Sequence, residues 1–174
     1  ASVLLSLGIV ERLDLSLDFA IGNQPNYLNA KYQFVGDTRA DSEAGNFSLS
    51  GVVGLGYIAV NEDSPDGYTN LNDFDVAGHA ARLGVVMGMR STKELLLYWS
   101  NSYEHFKTKT DYVTASVQDS FKINGNRVMS MLGAEYTFDE KISVGIEYGY
   151  VYSDVQRAES EGFTSFAGRV GYTF

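Results

Sequence analysis

Apolar and polar residues alternate position by position through most of this 174-residue chain, and a period of two admits little besides β-strands. In "KISVGIEYGYVYS", Ile142, Val144, Ile146, Tyr148, Tyr150 and Tyr152 fall on one face, and Ser143, Gly145, Glu147, Gly149, Val151 and Ser153 on the other. In "HAARLGVVMGMR", Ala81, Leu83, Val85, Met87 and Met89 oppose Ala80, Arg82, Gly84, Val86, Gly88 and Arg90. The same pattern runs over Val3 to Ile9, Leu13 to Phe19, Leu28 to Phe34 and Phe47 to Ala59. No segment carries the 3.6-residue period of an amphipathic helix. The longest apolar run, "GVVGLGYIAV" at 51–60, falls well short of the ~20 residues a membrane helix needs.

Two stretches fit less cleanly. In "RVMSMLGAEYTF" the apolar face holds Val128, Leu132, Ala134, Tyr136 and Phe138 but is interrupted by Ser130, while Met129 and Met131 fall among polar residues. A bulge near Arg127 would reconcile them. "ELLLYWSNSYEHF" begins with Leu95, Leu97 and Trp99 on one face and then turns polar.

Three junctions, "IVERLDLSL", "GMRSTKELLL" and "YTFDEKISV", place a short charged turn between alternating runs, as in a strand meander. The links at 61–75 and 154–162 read as longer polar loops, with 37–46 intermediate. Nothing marks a boundary, so residues 1–174 are expected to form a single domain. There is no cysteine, which excludes disulfides and thiolate metal sites. The net charge of -9 argues against nucleic acid as a partner. With no basic segment leading an apolar core, the chain reads as a mature or trimmed one.

Alternation alone does not say which face meets water. A soluble ligand-binding barrel and a β-sandwich put the apolar face inside; a membrane barrel puts it outside. The polar face decides the expectation. Glycines (Gly54, Gly56, Gly84, Gly88, Gly133, Gly145, Gly149 and Gly171) share it with isolated charges, including Asp14, Asp18, Lys31, Arg82, Arg127, Glu135, Glu147 and Arg169. Glycine on a solvated face only weakens a strand. Small residues among opposite charges suit a narrow interior where charges must pair. The apolar face carries aromatics near strand ends: Tyr136 and Phe138, Tyr148, Tyr150 and Tyr152, Tyr172 and Phe174. Such rings are expected at a lipid–water boundary.

Phe166, Gly168, Val170, Tyr172 and the final Phe174 stand at every second position of the last segment. With these residues the chain resembles the small outer-membrane β-barrel proteins of Gram-negative bacteria, whose last strand serves as an assembly signal. "TFDEKISVGIEYGY" and "VERLDLSLDF" also look like strand–turn–strand units of that class. The resemblance implies a transmembrane antiparallel up-and-down β-barrel in the outer membrane. It further implies contact with outer-membrane lipids and lipopolysaccharide, insertion by the barrel assembly machinery, short turns on the periplasmic side and long loops outside. It identifies no particular member.

Strand number follows from parity, since bacterial single-chain barrels have even counts. With the three tight turns at one end, residues 13–174 give eight strands, and 102–126 becomes a hairpin tip standing above the membrane. Residues 2–11 are then a ninth strand, unless an upstream strand completes the barrel. Alternatively 113–123 is a full strand that turns at Asn124-Gly125. That gives ten, our expectation, with eight as the alternative. Ten strands place the 61–75 loop at the same end as Phe174; eight place it at the opposite end.

The expected site is a luminal charge network of Asp14, Asp18, Lys31, Arg82, Arg90, Arg127, Glu135, Glu147 and Arg169. It reads as a structural plug, or at most the lining of a narrow pore. The expected function is a structural or surface protein, with a small-solute or ion channel as one alternative. A lipid- or peptide-hydrolysing enzyme is another, suggested by Ser100, Ser102, Glu104 and His105, although Glu104 and His105 would point to opposite faces of a strand. The only other histidine is His79. Glu62, Asp63, Asp66, Asp73 and Asp75 offer oxygen ligands but lack the spacing of a calcium loop. No catalytic residue, cofactor or metal is expected. Lys107 and Lys109 are candidates to meet lipid phosphates at a membrane rim.

Overall fold

The computed structural model describes residues 2–20, 25–37, 41, 43–63, 71–114, 118–138, 142–156 and 160–172. They form nine strands: β1 (Ser2–Val10), β2 (Leu13–Ala20), β3 (Asn26–Val35), β4 (Phe47–Asp63), β5 (Leu71–Arg90), β6 (Leu95–Thr114), β7 (Gln118–Phe138), β8 (Ile142–Val155) and β9 (Glu161–Tyr172). Each pairs antiparallel with the next, giving one sheet in sequence order. One sheet with up-and-down order is not the two-layered sandwich that the alternation also allowed. The described residues contain no helix.

The expected ten strands, and the alternative eight, are both corrected to nine. The error lies at Asn124-Gly125, which is not a turn. Asn124 pairs with Lys107 and Gly125 with Phe106 on one side, while Gly125 pairs with Val155 on the other. Cross-strand pairing along both edges of β7 overrides the local turn preference. Gly125 is used for packing instead: a Cβ there would run into the Phe106 ring. The described residues from Leu13 to Tyr172 form eight strands, and Ser2–Val10 is the ninth.

The turns at Glu11–Arg12 and Ser91–Glu94 share one end with the 36–46 link. Gly36 and Gly45 take positive φ in that link. A side chain at Gly36 would meet the Phe47 carbonyl. The β4–β5, β6–β7 and β8–β9 hairpins close at the other end, away from Tyr172, as the eight-strand scheme required. The 61–75 segment is less loop than expected, because the ladder continues to Asp63–Asp73. Asp66, Phe174 and the Asp139–Glu140 turn lie outside the described residues.

The sheet curls. One face surrounds a cavity of about 630 Å³ lined from every strand, from Ser6 of β1 to Ser165 of β9. β1 and β9 run in the same direction, as an odd number of antiparallel strands requires. Their Cα atoms come within 8 Å, but no ladder joins them among the described residues.

Burial is inverted relative to a water-soluble domain. Among the described residues the buried apolar side chains are Tyr27, Ile58, Ala80, Tyr98 and Val151. The buried polar ones are more numerous: Asn29, Ser50, Arg90, Glu104, Thr110, Ser143 and Glu147. Leucines, valines, isoleucines and aromatics line the outside instead, among them Leu55, Leu83, Leu132, Ile146 and Phe166.

Candidate functional site: the charged interior

Alternation fixes which side chains enter the interior. On β6, Leu95, Leu97, Trp99, Asn101, Tyr103 and His105 face out, so Tyr98, Ser100, Ser102, Glu104 and Phe106 face in. Register then brings inward residues of different strands level: Glu104 pairs with Arg82 on one side and with Arg127 on the other.

Glu104 is the centre of this layer. It is wholly buried, with Arg127 Nη1 at 3.3 Å from Oε1 and Arg82 Nη2 at 3.7 Å from Oε2. Arg82 Nη1 also lies 3.8 Å from Asp18 Oδ2. The guanidinium carbon of Arg82 sits 3.7 Å from the centre of the Tyr27 ring, and that of Arg127 sits 5.6 Å from the Phe106 ring. Delocalised guanidinium charge over aromatic faces is favourable, more so away from water. Glycine makes the room. A Cβ at Gly56 would lie 2.6 Å from the Tyr27 ring, and one at Gly54 would strike the Asn29 carboxamide. Gly54 and Gly56 thus seat side chains of the neighbouring strand. At Gly133 the ring seated is that of Tyr98, whose hydroxyl donates to Glu147 Oε1 at 3.0 Å.

The cavity lies on the turn side of the Glu104 layer. Ser6, Ser16, Ser48, Ser50, Ser100 and Ser102 contribute hydroxyls to its wall, and it reaches Glu11, Arg12 and Asp37 at the turns. Lys31 and Asp14, ladder partners on β3 and β2, pair along its wall at 2.7 Å, both about two-fifths exposed. Met129 and Met131 also line it, as gap-fillers. The expected bulge near Arg127 is absent: pairing is unbroken along both sides of β7 there. Ser130, which broke the apolar face in the sequence, is explained by Trp99, whose indole N–H donates to Ser130 Oγ at 2.9 Å on the outer surface.

Of the expected network, Asp14, Asp18, Lys31, Arg82, Arg90, Glu135 and Glu147 line the cavity, and Arg127 joins through Glu104. The partners differ in part from those the sequence suggested. Arg90 donates from Nη1 to the Lys93 carbonyl at 2.6 Å, holding the Ser91–Glu94 turn. Arg169 pairs with Gly145 through the β8–β9 ladder, but its side chain lies outside what the structure describes. Glu104 was missed as a luminal residue because it stands in a polar run; unbroken parity from Leu95 would have placed it inside.

Ser100, Ser102 and Glu104 face inward, whereas His105 faces outward and meets Asn126 Oδ1 at 2.8 Å. These residues therefore share no catalytic geometry. The side chains of Glu62, Asp63 and Asp73 lie outside the described residues, and no metal-ligating group of three forms among the described ones. Of the expected boundary aromatics, Tyr136, Phe138, Tyr148, Tyr150 and Tyr152 are exposed on the outer face, with Tyr136 and Phe138 edge to face at 4.8 Å. The side chains of Tyr172 and Phe174 are not described. Comparison with protein-family models, curated proteins and solved structures finds no match for the chain.

Proposed function

We propose that this chain is an integral β-barrel of the bacterial outer membrane, with a structural or surface role and a lumen plugged by the Glu104 layer. The observation that carries this reading is the inverted burial: charge inside, a continuous apolar surface outside. A water-soluble monomer seldom exposes apolar patches beyond several hundred Å². In lipid, the same surface is the solvated one, and among the described residues only the facing edges of β1 and β9 lack a ladder.

The dimensions agree. Val128 to Phe138 on β7 is ten residue steps of outward apolar residues and Ser130. At about 3.4 Å per residue and a tilt of about 40°, that is roughly 26 Å, against an apolar band of about 25 Å in such barrels. The outward residues of β6 beyond Tyr103 turn polar where the β6–β7 hairpin passes the edge of this band. Neighbours on this reading are outer-membrane lipids and lipopolysaccharide, with the barrel assembly machinery engaging the chain during insertion.

A second reading, a narrow path for ions or small solutes, is favoured by the hydroxyl-lined cavity that reaches one end. Planar-bilayer conductance separates the two. A plug gives no steady openings in the wild type and gains them in Glu104→Ala; steady wild-type openings establish the channel. Recovery of the protein from membranes with buffer alone, without detergent, overturns both.

A further inference from the structure

The outer face of the β5–β7 region carries a cluster that the lumen does not use. Three register rows stack above the apolar band: Ala81–His105–Asn126, His79–Lys107–Asn124 and Ala77–Lys109–Lys122. The row beneath them is Leu83–Tyr103–Val128, all apolar or aromatic and exposed. Lys107, Lys109 and Lys122 are exposed, on the same outward parity as Trp99 and Leu132.

This concentration is unexpected for the chain. Its net charge is -9, and its lysines are Lys31, Lys93, Lys107, Lys109, Lys122 and Lys141, so half of them fall in one patch. Lys109 and Lys122 stand directly opposite across the ladder, where like charges are destabilising. Asp111 takes up Lys109 at 2.7 Å, but among the described residues no carboxylate pairs with Lys107 or Lys122. On the neighbouring strand the outward residues are Ala81 beside His105, His79 beside Lys107 and Ala77 beside Lys109, with Asp75 beside Asp111 one row further on.

We propose that this patch binds the phosphate of an anionic lipid headgroup. The alkyl stems of the lysines lie along the apolar band while their ammonium groups meet the phosphate. The acyl chains then rest on Leu83, Tyr103 and Val128. An inorganic phosphate offers the same charge but no contact with that apolar row, which is why a lipid is the occupant. The proposal rests on the membrane-barrel reading.

The test uses the full chain. Flotation with phosphatidylcholine vesicles first reports insertion. Phosphatidylglycerol is then titrated into detergent micelles, and bound lipid is counted by native mass spectrometry. Wild type and Lys93→Gln, at the opposite end, are expected to retain phosphatidylglycerol over phosphatidylcholine. The triple variant Lys107→Gln/Lys109→Gln/Lys122→Gln is expected to bind it on the order of tenfold to a hundredfold more weakly. Arginine at the same three positions is expected to keep the binding. Undiminished retention by the glutamine variant, or loss in the arginine variant, overturns the site while leaving the barrel standing. Displacement by millimolar inorganic phosphate assigns a free-anion site and overturns the lipid. Failure of the wild type to float overturns both readings.

Discussion

The two halves of the interior solve the same problem differently. Toward the hairpin tips, Glu104, Arg82, Arg127, Tyr27 and Phe106 fill the space with long side chains seated over Gly56 and Gly125. Toward the turns, serines and the half-exposed Asp14–Lys31 pair surround a cavity of about 630 Å³. Both halves are polar and both carry opposite charges. What separates them is side-chain length: Tyr27 and Phe106 lie over Gly56 and Gly125 in the tip half, whereas Ser6 faces Ser16 and Ser102 faces Gly84 on the cavity wall. The same ion pair is therefore costly to break in one half and nearly free in the other.

That contrast can be broken by experiment. The largest effect is expected from Glu104→Ala, which leaves Arg82 and Arg127 without the carboxylate they share. Loss of one partner from a buried charge cluster costs about 3–5 kcal/mol, read by urea unfolding in micelles through the single tryptophan, Trp99. A loss under about 1 kcal/mol would mean that the tip half is as wet as the other. Gly125→Val should come next, at about 1–3 kcal/mol, because the Phe106 ring occupies the space its side chain needs. Asp14→Asn should cost no more than about 1 kcal/mol, since its pair with Lys31 is well exposed to solvent in the cavity. A value near that of Glu104→Ala would erase the distinction. Smallest of all, Ser165→Thr adds one methyl to the β9 wall of the cavity and should change stability by less than about 0.5 kcal/mol.

Much of this was legible in the sequence. The period of two assigns inner and outer faces along β3, β5 and β8 without further help, because one residue of slip would turn every apolar side chain inward. The opposed charges of Asp14, Asp18, Lys31 and Arg82 follow from that parity. Two features did not follow. Asn124-Gly125 carries a strong local turn signal, yet pairing along two edges outweighs it; such pairing is non-local and has no signature within a short window. Glu104 was hidden for a related reason. The hairpin passes beyond the apolar band, so the outward face turns polar and the contrast between faces fades just where the Glu104 layer sits. Ser130 shows the converse, a polar residue on the apolar face that needs its cross-strand neighbour Trp99 to make sense.

Nine strands also decide what can be done to the chain by engineering. β1 begins at the tip end and β9 finishes at the turn end, so Ser2 and Tyr172 lie at opposite poles. Reporter groups attached beside these two residues would emerge at opposite ends of the curled sheet. A circular permutant joining them cannot use a hairpin of a few residues. Its linker must travel the full length of the seam, antiparallel to both β1 and β9, and in doing so would supply backbone partners to the two strands that lack a ladder between them.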